Sequence, residues 1–329
     1  SILVDMGVFQ PYLEVTTTAG CSNTCSFCPQ RLTLLRAREL HSPILMTFEV
    51  FKECVDKVPK TVRIGFGGLS EPFQNPRCLD MIAYVKKMGY EVTVYSTLAR
   101  LTEEGVVKLF KLLSLSPEGT DKLIIHVSSD EMIERIPVNE TAVKVMEIAV
   151  QHITPNVSFH FHGKSVHAKL RPIFQKVGIE HQPIHTRAGL NPMLRGRKVK
   201  RLRGRLACPL HLISNILVPS GDVLVCCQDF GMKHIIGNLR TDSYRSLFSS
   251  KGMMVVKKGL EDERIDTLCR TCDWAINANA AAHFYNAPRL RDRIFMGAKI
   301  GLYRTSPPLY RLLRNFLGTD IGSTDEQLK

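Results

Sequence analysis

Cys21-Ser22-Asn23-Thr24-Cys25-Ser26-Phe27-Cys28 places three thiols within eight residues, directly after an apolar, β-prone run from Leu13 to Thr18. Three thiolates on one short loop can each hold one iron of a [4Fe–4S] cube, leaving the fourth iron without a protein ligand. An iron with an open position binds a cofactor or substrate, whereas a fully ligated cluster only carries electrons. A zinc site would require a fourth ligand and usually two-residue gaps in both pairs.

Outward from this loop, further β-prone runs follow at Val62 to Phe66, Glu91 to Tyr95, Lys122 to Val127, Val157 to Phe161 and Glu180 to His185. Helix-length segments separate them, and Thr47 stands as the N-cap of the helical pattern that begins at Phe48. Strands alternating with helices predict parallel β/α units with right-handed crossovers. Six such units predict an α/β fold, an open barrel or strongly curved sheet, with site groups on the loops that follow the strands.

The pattern changes at residues 191–207, a basic, glycine-containing stretch that reads as a linker. Beyond it, Ile216-Leu217-Val218 and Val223-Leu224-Val225 flank the turn Pro219-Ser220-Gly221-Asp222, which predicts a hairpin. Cys208, Cys226, Cys227, Cys269 and Cys272 fall in this last third. Four of them, Cys208, Cys226, Cys269 and Cys272, suffice for complete ligation of a second cluster. On spacing alone a tetrahedral zinc site suits the same four equally well. Cys54, on a helical pattern, and Cys78 read as core residues.

The Cys-x3-Cys-x-Phe-Cys loop after a first strand resembles the signature of the radical S-adenosylmethionine (radical SAM) superfamily. That resemblance implies a partial (β/α)6 TIM-like barrel over residues 1–190. Cys21, Cys25 and Cys28 would then hold a [4Fe–4S] cluster that binds SAM, with Phe27 near the adenine. Gly65-Phe66-Gly67-Gly68-Leu69-Ser70-Glu71-Pro72 is similar to the family's glycine-rich SAM-binding motif, with Ser70 where that motif usually has glycine. It implies cofactor contacts from Gly67, Gly68, Ser70 and Glu71, and the later strand ends imply others from Thr97, Ser128 and Ser129. By the family's mechanism, reduced cluster cleaves SAM to a 5′-deoxyadenosyl radical that abstracts a substrate hydrogen atom.

Cys208, then Gly221-x4-Cys226 after a hairpin, then Cys269-x2-Cys272 resembles the SPASM/twitch domain of that superfamily, which implies an auxiliary [4Fe–4S] cluster in a small α+β domain over 208–283. Three SAM-cluster and four auxiliary ligands leave Cys54, Cys78 and Cys227, which fits the shorter twitch form with one auxiliary cluster. Cys227, beside a ligand, is a candidate hydrogen-atom donor, as a cysteine is in radical epimerases. Arg187, after the sixth strand, is a candidate to bind or deprotonate a hydroxyl, or to bind an anion.

The 329-residue chain is 44% hydrophobic and 23% charged, an ordinary globular composition. Its opening residues show no basic n-region or apolar h-region, and no apolar run approaches the roughly 20 residues that span a bilayer. Ten cysteines in such a chain are expected to be reduced thiols of a cytoplasmic protein. A net charge of +13 favours an anionic partner, with basic residues concentrated at 195–205 and after 288. The tail, 284–329, reads as helical and basic, either docked on the barrel or touching an anionic membrane.

The resemblance to SPASM/twitch enzymes, with the positive charge, implies an oxidoreductase or epimerase acting on a small, anionic or sugar-like molecule: a carbohydrate, aminocyclitol or nucleotide-linked sugar. A flavodoxin- or ferredoxin-type donor would supply electrons. Peptide maturation, forming a thioether, a carbon–carbon bond or an epimer, is the alternative. With the cluster loop reached by residue 21, direct leader-peptide recognition by a preceding domain is not expected. RNA modification ranks third, since no stacking-aromatic RNA module accompanies the basic stretch.

Overall fold

The computed structural model describes residues 10–278 except 131, 132, 134, 176, 197, 198, 209 and 211–213. The expected tail, 284–329, lies outside the described residues. Six strands, β1 (Tyr12–Val15), β2 (Arg63–Phe66), β3 (Val92–Ser96), β4 (Lys122–His126), β5 (Val157–Phe161) and β6 (Glu180–His181), lie side by side in chain order, all parallel. Helices Gln30–Glu39, Phe48–Val55, Cys78–Lys87, Glu103–Leu112, Glu140–Val150 and the single turn Arg171–Phe174 fill the crossovers. Capping residues fix where several begin. Thr47 accepts from the Val50 N–H at 3.2 Å, Thr102 from Gly105 at 3.1 Å and Asn139 from Ala142 at 2.9 Å.

Strand alternation divides the sheet into two chemical faces. Leu13, Val15, Ile64, Phe66, Val92, Val94, Leu123 and Ile125 are wholly buried in one core with Phe51, Met81, Val106 and Val145 of the crossover helices. Each such large side chain contributes about 1.5–3 kcal/mol of burial. The opposite face carries Tyr12, Glu14, Gly65, Thr93, Tyr95, His126 and His160, a polar set suited to holding ligands. The sixth strand stops at His181 rather than at His185, because Pro183 has no N–H to donate to a ladder.

After the two-residue strand β7 (Leu206–Ala207), the chain adds β8 (Ser214–Leu217), β9 (Asp222–Leu224) and β10 (Ile235–Asn238). The expected hairpin forms, with the Gly221 N–H donating to Val218 O at 2.9 Å. It does not stand apart. β8 pairs parallel with the free edge of β1, Leu13 opposite Asn215, so one nine-stranded sheet runs β10-β9-β8-β1-β2-β3-β4-β5-β6. Val223, Val225, Leu239 and Met253 share the core with the barrel strands. Helix Lys251–Glu261 follows, and β11 (Ile276–Asn277) closes back on β7.

The basic linker is docked: Arg201 pairs with Asp266 at 2.7 Å and Arg205 with Glu261. Part of its charge is therefore matched within the chain. Among the described residues no helix is long and apolar enough to cross a membrane.

Candidate functional site

The loop after β1 is held in place by side chains from neighbouring crossovers. The Cys21 N–H donates to Gln30 Oε1 at 3.1 Å, the Ser22 N–H to Gln74 Oε1 at 2.7 Å and the Ser26 N–H to Ile133 O at 2.9 Å. The Glu71 N–H points at Cys21 Sγ, 3.4 Å away, a contact that favours a thiolate. Burial is the main cause that pushes the Cys21 thiol up to about 11, against the main-chain N–H groups of Glu71 and Asn23; burial also raises Cys28, where the charge of Arg187 works against the rise. Iron bound to these sulfurs would offset that burial, since a coordinating thiol loses its proton.

Gly67 and Gly68 follow β2 with φ of +154° and +66°, where a side chain is strained. A Cβ at Gly68 would lie 2.3 Å from Thr16 Oγ1, and one at Gly67 would lie 2.9 Å from Tyr95 Cβ. Ser70 Oγ is buried and has no hydrogen-bond partner among the described residues, a vacancy in polar bonding that a ligand would fill. The Glu71 carboxylate is instead committed to the end of β3. It accepts from Ser96 Oγ at 2.6 Å, the Thr97 N–H at 2.8 Å and Thr97 Oγ1 at 2.7 Å. Its side chain thus ties β2 to β3, and its main chain faces Cys21.

Thr97 Oγ1 also accepts from Asn23 Nδ2 at 3.2 Å, which anchors the cysteine loop to the same latch. Ser128 Oγ donates to Ile136 O at 3.2 Å, and Ser129 is buried where it bridges to Val166. Both serines brace the loop after β4.

Phe27 is buried, with its ring centroid 4.5 Å from that of His162. His162 stacks in turn on His126 at 5.9 Å, and its Nδ1 lies 2.8 Å from Gln182 O. A carbonyl only accepts, so Nδ1 carries the proton and the neutral ring keeps Nε2 as an acceptor. Burial, then His126, holds His162 well below the ordinary histidine value, and the same causes bring His160 down to about 4. The stacking of His162 on Phe27 joins residues far apart in the chain, and sequence reasoning missed the roles of His160 and His162. Their alternation around Phe161 was the available signal.

Arg187 sits in a left-handed turn, φ +51°, with its guanidinium 5.9 Å from the Phe27 ring and 5.8 Å from the Phe230 ring. Its Nε is buried without a partner among the described residues. The turn is clamped by the segment that bears Cys269 and Cys272. Asp273 accepts from the Thr186 N–H at 2.6 Å and from Thr186 Oγ1 at 2.7 Å, and Thr271 Oγ1 donates to Ala188 O at 2.7 Å.

Cys208 follows β7, Cys226 follows β9, and Cys269 and Cys272 flank the turn Leu268–Thr271. They converge. Burial raises the Cys226 thiol well above its ordinary value, and the neighbouring Cys227, Cys272 and Cys208 raise it further. Burial raises Cys272 in the same way, with Cys208 next in effect. The Trp274 N–H lies 3.4 Å from Cys272 Sγ. Cys227 leaves this group and packs, with Cys28, against a second apolar cluster that includes Leu69, Ile216 and Phe230. Cys54 and Cys78 are wholly buried core residues. All ten cysteines are free thiols.

Among the described residues no three His, Cys, Asp or Glu side chains enclose a single-ion site. A tetrahedral zinc with bonds of about 2.3 Å would draw its sulfurs to about 3.8 Å.

Residues 208–273 match the family model of the SPASM iron–sulfur cluster-binding domain. The fold is similar to that of BtrN, solved in complex with AdoMet and 2-DOIA, with a TM-score of 0.53 and 16% identity over 82% of this chain and 93% of that one. It is equally similar to Streptococcus suis SuiB bound to precursor peptide SuiA, with a TM-score of 0.53 and 12% identity over 82% of this chain and 72% of that one. The tungsten-containing aldehyde ferredoxin oxidoreductase cofactor-modifying protein of Pyrococcus furiosus is 29% identical over 104 residues. That match covers 31% of this chain and 28% of the relative's length. Parallel β/α units carrying a three-thiol loop, with the fold of BtrN and SuiB, are thus joined edge to edge to a module that matches the SPASM iron–sulfur cluster-binding domain.

Proposed function

We propose that this chain is a radical SAM enzyme that dehydrogenates or epimerises a carbohydrate, aminocyclitol or nucleotide-linked sugar carrying an anionic group. Arg187 carries this reading. It is a fixed positive charge held between two aromatic rings beside the SAM loop, with a buried Nε that awaits an acceptor. A carboxylate or phosphate on the substrate supplies that acceptor. Because a guanidinium keeps its proton, its role is binding rather than proton removal.

When bound, the cofactors supply a 5′-deoxyadenosyl radical and a nearby one-electron acceptor. The chain's own residues do the rest. Cys21, Cys25 and Cys28 hold the first cluster, while Gly67, Gly68 and Ser70 admit the amino-acid end of SAM. Glu71 fixes Thr97 and the β3 end, and Phe27 with His162 walls the adenine side. The neutral His162 Nε2 accepts a hydrogen bond without bringing a second positive charge beside Arg187. Ser128 and Ser129 shape the ribose side. The likeness in fold to BtrN, solved with AdoMet and 2-DOIA, covers 93% of that chain and supports a small-molecule substrate.

Cys227 distinguishes the two outcomes. It packs against the same apolar cluster as Cys28, which supports a role in returning a hydrogen atom to a substrate radical. Anaerobically reconstituted protein is expected to form 5′-deoxyadenosine with dithionite and to consume a phosphorylated or carboxylated sugar from a metabolite panel. Consumption only of peptides would replace this reading with peptide maturation. Solvent deuterium in the product, lost in Cys227→Ala, marks epimerisation; an oxidised product without deuterium marks dehydrogenation.

A further inference from the structure

Arg270, between Cys269 and Cys272, is fully buried. Buried arginines are ordinarily paired with an acid. This one has no carboxylate partner among the described residues. Every hydrogen bond it makes ends on a main-chain carbonyl: Nη1 on Leu202 O at 3.5 Å and on Gly204 O, Nη2 on Gly259 O at 2.6 Å and Leu260 O at 3.4 Å. Gly259 and Leu260 lie in the last turn of helix Lys251–Glu261, whose end carries partial negative charge. Dipoles of this kind solvate a cation without cancelling it. Capping a helix end needs only a donor, which a neutral amide also provides, so the charge calls for a separate explanation.

The charge belongs to the turn that carries the thiols, since Arg270 directly follows Cys269 and is buried together with Cys269 and Cys272. Two acids stand near the thiols of this group in the chain, Asp229 and Asp273. Each of those acids has a histidine beside it, His234 at 3.6 Å and His185 at 3.7 Å. Arg270 is the buried cation of the group.

We propose that Arg270 raises the reduction potential of the auxiliary cluster, making that cluster an electron acceptor. Reduction adds one negative charge to a buried cluster, and an adjacent cation in a low-dielectric setting stabilises the reduced form over the oxidised one. Oxidation of a substrate then has an electron sink next to the Arg187 turn, which Asp273 and Thr271 tie to the same loop. The inference rests on Cys208, Cys226, Cys269 and Cys272 being cluster ligands.

The test is an anaerobic redox titration of the reconstituted holoprotein, followed by electron paramagnetic resonance. In the unsubstituted protein the auxiliary cluster is expected to reduce before the SAM cluster. Arg270→Gln is expected to lower the auxiliary midpoint and leave the SAM-cluster midpoint in place, while Arg270→Lys stays near the original value. An unchanged auxiliary midpoint in a fully loaded Arg270→Gln protein, or equal shifts in both clusters, overturns the proposal. Should Arg270→Gln fail to fold or load, the order of reduction in the unsubstituted protein decides: an auxiliary cluster that reduces last overturns it. A protein loading only one cluster would instead refute the ligand assignment.

Discussion

Cys21, Cys25 and Cys28 share one eight-residue loop and remain partly exposed, whereas Cys208, Cys226, Cys269 and Cys272 arrive from three separate segments, the last three of them buried. The first group is a local chelate, its shape set by spacing and by hydrogen bonds from Gln30, Gln74 and Glu71. The second exists only because β8 pairs with β1 and helix Lys251–Glu261 returns the Cys269–Cys272 turn to it. Incomplete local ligation leaves room for a cofactor. Complete ligation from distant segments makes cluster binding part of folding.

Breaking the first group should have the largest effect. Cys25→Ala is expected to abolish 5′-deoxyadenosine formation and to reduce iron from about eight atoms per chain to about four, with little change in stability. Equal loss of both clusters would show that the two sites are not independent. Cys226→Ala attacks the second group and is expected to remove the auxiliary cluster and lower the thermal midpoint. SAM cleavage should persist without substrate turnover, so product and 5′-deoxyadenosine assays in parallel would separate the two roles.

The link between the regions is the Arg187 turn. Arg187→Ala should raise KM for an anionic substrate by about ten- to a hundredfold, the worth of a charge-assisted hydrogen bond, while uncoupled SAM cleavage is retained. A neutral substrate analogue should show no such penalty. Glu71→Gln, which weakens the latch to Ser96 and Thr97, should cost about 1.5–3 kcal/mol in denaturant unfolding and loosen SAM binding.

The smallest effect concerns pH. Folded His160 and His162 stay neutral, the former down to about 4, whereas the unfolded chain takes up those protons near 6.5. The unfolded state therefore binds more protons in this window. Stability is fully present above 6.5 and falls as pH drops from 6.5 toward 4. Replacing His160 with phenylalanine should flatten that slope in a series of thermal melts.

Much of this protein was legible in its residues. All six parallel strands fall inside the apolar runs to within one residue, β1 starting at Tyr12 and β3 ending at Ser96, because alternation and capping residues such as Thr47 act over a few positions. The three-thiol loop was legible for the same reason. The hairpin around Gly221 was readable too, but not its partner, since nothing local in Ser214–Leu217 names β1 as the strand it joins. The stacking of His162 on Phe27, the clamp of Asp273 on Thr186 and the burial of Arg270 bring together residues up to 135 positions apart in sequence.

Sequence by itself determined the identity of the thiols, the order of the β/α units and the turn between β8 and β9. Only the tertiary structure decided which thiols meet, which way Cys226 and Cys227 face, and that a cation lies buried at the second group. The physical reason is range. Periodicity and spacing are enforced by bonds between near neighbours, while convergence and burial depend on how the whole sheet closes and which apolar faces it covers.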